Sequence, residues 1–72
     1  MTKTQEKLFN VLSDPKVNVT RTHPIYVPFG ENGLTKDTGN IRVEFNKAPY
    51  TLDINRTEYN EILPEINVMR AL

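Results

Sequence analysis

The sequence predicts a small α+β domain in which a three-stranded antiparallel sheet carries an N-terminal and a C-terminal helix on one face, in the order α-β-β-β-α. Three observations predict it. Apolar residues recur at spacings of three and four near both chain ends, they alternate with polar ones through the middle, and turn-forming clusters divide that middle into three runs. A length of 72 residues corresponds to one domain, residues 1–72.

The first helix is set by Thr2, which has Gln5 three residues on in the pattern of a capping box, and by Leu8, Val11 and Leu12 at helical spacing with Phe9 beside them. It runs from about Lys3 to Leu12. Ser13-Asp14-Pro15 ends it, because Pro15 disfavours helical geometry at Asp14 and has no N–H to donate. From Val17 to Phe29 the odd positions read Val, Val, Arg, His, Ile, Val, Phe against Asn, Thr, Thr, Pro, Tyr, Pro at the even ones, the period of a strand. Its odd side is the one expected to face the core, which would bury Phe29 with the other odd-numbered aliphatics. Pro24 and Pro28 each lack a ladder donor, so this strand belongs at a sheet edge, with a bend near His23-Pro24.

Gly30 to Asn40 is polar with three glycines and reads as the longest loop, with Leu34 as a peg onto the core. Ile41, Val43 and Phe45 alternate, Asn46-Lys47-Ala48-Pro49 turns, and Tyr50, Leu52 and Ile54 alternate again, which is a β-hairpin. Asn55 followed by Glu58 opens the last helix, whose inner face is Tyr59, Ile62, Ile66 and Met69. Pro64 interrupts that face, leaving either one kinked helix or a short helix followed by a tail from Ile66 to Leu72.

Leu, Ile, Val and Phe make up 20 of the 72 residues, enough for a folded core. A chain this short buries only about 60% of its unfolded surface, so its stability margin is thin. With no cysteine and one histidine, neither disulfides nor a soft metal site supplies the difference, and self-association or a partner remains. Nine basic and nine acidic residues cancel, so no overall field recruits nucleic acid or an anionic membrane. The amino terminus has no apolar run of signal-peptide length, and no segment approaches the roughly 20 apolar residues that span a bilayer. A cytoplasmic location is expected.

Several short patterns invite a chemical reading and fail on context. Asp37-Thr38-Gly39 spells the triplet of retroviral-type aspartic proteases, but Leu34-Thr35-Lys36 precedes it where a buried apolar strand is required, so a polar turn is expected. Gly30-Glu31-Asn32-Gly33 matches a phosphate-clamping GxxG loop in spacing, yet Glu31 would repel the phosphate, which makes a hairpin connection the better reading. Residues Leu8 to Pro15 resemble the opening helix of bacterial winged-helix repressors of the metal-sensor type. The resemblance covers eight residues, and residues 17 to 54 read as strands where those repressors continue with helices. His23 has no serine, cysteine or carboxylate pair placed by sequence to make it a general base. Glu58, Glu61 and Glu65 form the solvated stripe of an amphipathic helix.

With no nucleophile beside a base, no carboxylate pair and no cofactor loop, the sequence predicts no enzyme, no cofactor and no metal site. It predicts a protein-binding accessory or regulatory module whose partner is another protein, or itself as a homo-oligomer, with no membrane partner. The candidate contact residues are Tyr26, Phe29, Leu34 and Tyr50, and the edge strand offers a place for strand addition. A short, cysteine-free chain of this kind suits a phage or mobile-element protein that inhibits a host factor. The alternative is a small nucleic-acid binder using Lys16, Arg21, Arg42, Lys47 and Arg56, interleaved with aromatics on the sheet. A second alternative is a structural subunit whose edge strand pairs with copies of itself.

Overall fold

Thr2 starts the first helix by a reciprocal cap: its hydroxyl accepts the Gln5 backbone N–H at 3.2 Å, and its own N–H donates to the Gln5 side-chain oxygen at 2.8 Å. Gln5 does more than cap. Although nearly fully buried, it donates from Nε2 to the Glu58 carbonyl at 3.0 Å, which ties the start of the first helix to the start of the last. The computed structural model describes all 72 residues and contains α1 (Lys3–Leu12), β1 (Val19–Phe29), β2 (Leu34–Phe45), β3 (Thr51–Asn55) and α2 (Arg56–Ala71). The strands form one antiparallel sheet in the order β1-β2-β3, with both helices on one face, the predicted α-β-β-β-α arrangement.

α2 begins where Asn55 accepts the Thr57 and Glu58 N–H groups at 2.9 and 3.4 Å. It continues as one helix through Pro64, which decides between the two readings of the chain's last turns. Pro64 is exposed, so water is at hand for the helical hydrogen bond it removes. Near the other end Arg70 donates to the Leu12 and Val17 carbonyls, both at 2.9 Å, and to the Asn18 side-chain oxygen at 2.7 Å. Gln5 meets α2 at its start and Arg70 meets α1 at its end, so the two helices run in the same direction, fastened at both ends.

Between helices and sheet lies a core of Leu8, Leu12, Val17, Ile41, Val43, Phe45, Ile54, Ile62 and Ile66. Phe9, Val11, Leu52, Tyr59 and Met69 close its rim. β1 supplies nothing to it beyond the approach through Val17. The reason is a bulge: Val19 pairs with Phe45 but Arg21 pairs with Glu44, so Thr20 is an extra residue that exchanges the two sides of the strand. Thr22 and Pro24 then lie on the helix side, opposite Val43 and Ile41. The odd positions from Arg21 onward turn away from the helices, contrary to the expectation that they face the core.

The predicted loop Gly30–Asn40 is also corrected. β2 already begins at Leu34, and only Gly30-Glu31-Asn32-Gly33 connects it to β1. Both glycines need positive φ, 76° and 71°, to close that connection. β1 and β2 therefore run on together as a two-stranded arm past the end of β3. At about 3.3 Å per residue the 12 residues of β2 reach roughly 40 Å, which accounts for a long axis of 50 Å against 23 and 17 Å. The radius of gyration, 13.9 Å, exceeds the roughly 11 Å of a compact chain of this length. Every residue from Tyr26 to Asp37 is exposed, Phe29 and Leu34 among them, so neither packs inside nor pegs a loop to the core.

Candidate interaction surface

The arm is pinned by pairs Tyr26–Asp37, Val27–Lys36, Pro28–Thr35 and Phe29–Leu34. Alternation places Val27, Phe29, Leu34 and Lys36 on one side and Tyr26, Pro28, Thr35 and Asp37 on the other. Phe29 is 58% exposed, Leu34 59%, Tyr26 55% and Val27 41%. The Lys36 ammonium stands 5.8 Å from the centre of the Phe29 ring, within cation–π range, and leaves most of the ring open to solvent.

At the root of the arm one residue of β1, Ile25, faces three of β2, Thr38-Gly39-Asn40. Here the Asp37-Thr38-Gly39 triplet, expected as a polar turn, is a bulge inside a strand. The Thr38 hydroxyl donates to the Ile25 carbonyl at 2.9 Å and accepts the Asn40 N–H at 3.2 Å. Gly39 adopts φ 79°. Asp37 accepts the Gly39 N–H at 2.8 Å and an Arg56 N–H at 2.9 Å. These bonds, the Gly39 one foremost, hold its carboxyl below the usual carboxylate range.

The free edge of β1 is poor in donors. Phe45 donates its N–H to Tyr50 at 2.7 Å, so Phe45, Val43 and Ile41 turn their backbone groups toward β3, and Glu44 and Arg42 turn theirs toward β1. Arg21 and His23 consequently bond inward, and Thr22 and Pro24 point outward. The Ile25 carbonyl points inward to Thr38, which puts Tyr26 and Pro28 outward again. Both prolines thus occupy outward positions, and between Arg21 and Phe29 only Thr22 and Tyr26 offer an N–H to an incoming strand.

Below the bulge the open face of the sheet is charged and internally paired. Arg42 grips Asp53 with two hydrogen bonds of 2.8 and 3.0 Å, and His23 Nε2 stands 3.5 Å from Glu44 Oε2. The Arg42 contact lowers the Asp53 pKa, and Asp53 in turn raises that of Arg42. On the helix side, burial against the core raises the Tyr59 hydroxyl above its ordinary range. No three of the His, Asp and Glu side chains converge. Comparison with protein-family models, with curated proteins and with solved structures finds no match to this chain.

Of the four residues expected to touch a partner, the structure brings Phe29 and Leu34 together on one side of the arm and puts Tyr26 on the arm's other side. Tyr50 is not with them. It sits at the other end of β2, in the turn before β3, 62% exposed, with φ 71° and its N–H on the Lys47 carbonyl at 2.9 Å. The five cations of the alternative set are scattered. Lys16 and Lys47 lie on neighbouring turns bridged by the Asn46 side chain, which donates to the Lys16 carbonyl at 3.1 Å, Arg21 and Arg42 lie on the open face, and Arg56 begins α2. Val27 joins Phe29 and Leu34 on their side of the arm, and its shared parity with Phe29 is the sequence signal for it. A shallow apolar groove along α1 and α2, lined by Phe9, Pro64, Val68, Met69 and Leu72, gave no sequence signal, because Val68 and Leu72 fall outside the inner stripe of α2.

Proposed function

We propose that this chain is a non-enzymatic accessory or regulatory module that binds another protein through the β1–β2 arm. The observation that carries the reading is the exposure of Val27, Phe29 and Leu34 on one side, and of Tyr26 on the other, of an element that contributes nothing to the core. A chain with a thin stability margin has little reason to keep a large apolar cluster in water, and clusters that combine aromatic and aliphatic anchors are where interface energy concentrates. The proline pattern favours side-chain insertion into an apolar cleft of the partner over strand addition, since an added strand would find two donors where an open edge gives four. A phage or mobile-element inhibitor of a host protein is one form such a module takes. A cytoplasmic location suits a chain with no cysteine and no helix long and apolar enough to cross a membrane.

The test is affinity capture from a lysate of the source, with nuclease, comparing the parent chain with a Tyr26→Ala/Leu34→Asp variant of unchanged circular dichroism. The reading expects one dominant protein that survives nuclease and moderate salt and is lost with the variant. Retention of that protein by the folded variant would contradict it.

A small nucleic-acid binder draws less support. Arg42 and Arg56 are each already held by a carboxylate, and the net charge is zero. That alternative predicts binding that weakens steeply with salt, and no gel shift at low salt removes it. Self-pairing through β1 draws less still, for want of outward donors. A strictly monomeric mass over a wide concentration range removes it.

A further inference from the structure

The arm is joined to the rest of the molecule in an unusual way. At the bulge, register passes from Pro24–Ile41 directly to Tyr26–Asp37, so the ladder skips one residue on β1 and three on β2. Across that gap the recorded side-chain bond is the single one from Thr38 to the Ile25 carbonyl. Along its whole length β1 packs against β2 alone and against neither helix, and beyond the bulge every residue of the arm is exposed. One hydrogen-bonded tie leads from the arm back to the helical layer, the 2.9 Å contact between Asp37 and Arg56 at the first residue of α2. Gly39, beside it, has φ 79° and open space around the position of a side chain, the nearest atom being the Asn55 side-chain nitrogen at 4.0 Å. Bulges bend strands, and a few small residues outside a packed core are what absorb the φ and ψ changes of a hinge.

We propose that Thr38-Gly39-Asn40 is a hinge on which the arm swings against the body, and that the Asp37–Arg56 ion pair is the latch that sets its resting direction. Asp37 is suited to this because one carboxylate spans both parts, one oxygen on the Gly39 N–H inside the hinge and the other on Arg56 of the body. Both partners of the latch are between 40 and 50% exposed, at 41% and 47%, so the latch is weak and salt-screened, fit to be opened by a partner rather than to lock the arm. The mechanics stand apart from the binding reading. Only the consequence, that the latch presents Phe29 and Leu34 in a preferred direction, rests on it.

The absence of cysteine allows a direct test, by spin labels on an Asn32→Cys/Asn60→Cys pair, from the tip of the arm to α2, with a Lys7→Cys/Asn60→Cys pair between the helices as control. The proposal expects one narrow tip-to-helix distance distribution in the otherwise unaltered chain. Arg56→Gln and Asp37→Asn should each broaden it at least about twofold. Arg56→Lys should recover much of the narrowness, and about 1 M salt should mimic Arg56→Gln. The control pair should not change. A tip distribution equally wide with and without Arg56, or a control pair that broadens along with it, would overturn the proposal. No partner is needed for this measurement, so failure of the hinge and failure of the binding reading are separable.

Discussion

The body and the arm share two strands and differ in everything that holds them. In the body, β2 from Ile41 to Phe45 alternates between the helix-covered core and a charged open face, and Gln5 and Arg70 fasten the helices at both ends. In the arm the same strand, from Leu34 to Asp37, has water on both sides and is held by cross-strand pairs, each worth about 0.2–1 kcal/mol. A two-stranded hairpin alone is marginal in water. The contrast teaches that the buried contacts lie in one half of the molecule, and that the apolar side chains of the other half face water in the free chain.

The sharpest way to break the comparison is to truncate matched residues in the two halves. Leu8→Ala removes a fully buried side chain and should cost about 2–5 kcal/mol, enough to unfold much of so small a domain, as read by urea denaturation. Arg70→Met comes next, at about 1.5–3 kcal/mol, because the Leu12 and Val17 carbonyls lose a charged donor. Tyr50→Gly should raise stability, by no more than about 1 kcal/mol, since glycine adopts φ 71° without the steric cost tyrosine incurs. Smallest of all, Phe29→Ala and Leu34→Ala should stay within about 0.5 kcal/mol of the parent. A loss at Phe29 as large as that at Leu8 would mean that the arm is packed against something in the free protein.

The parts legible in the sequence are those with local signals or a buried face. Thr2 with Gln5, and Asn55 with Glu58, announce helix starts through chemistry contained in four residues, and both starts are where the caps put them. The β2–β3 hairpin is legible because Ile41, Val43, Phe45, Leu52 and Ile54 alternate toward one core. Leu34 to Asn40 reads as loop for the converse reason: a strand wet on both sides has no burial pattern to write into its sequence. For β1 the alternation was legible and the side was not, because one extra residue at Thr20 exchanges the faces without leaving a trace in the period. Of the candidate contacts, Phe29 and Leu34 converge because hairpin pairing brings them opposite each other, and Tyr26 lies on the other side of the same arm. Tyr50 is left apart because it belongs to the other turn.

Amide hydrogen exchange along the whole chain tests the division between body and arm most directly. The account predicts protection near the global unfolding limit for Leu8, Val43, Ile54 and Ile62, and protection lower by orders of magnitude for the arm amides from Val27 to Lys36, with the break at Thr38–Asn40. Uniform protection across that break would contradict it, and would place the arm within the cooperative unit of the fold.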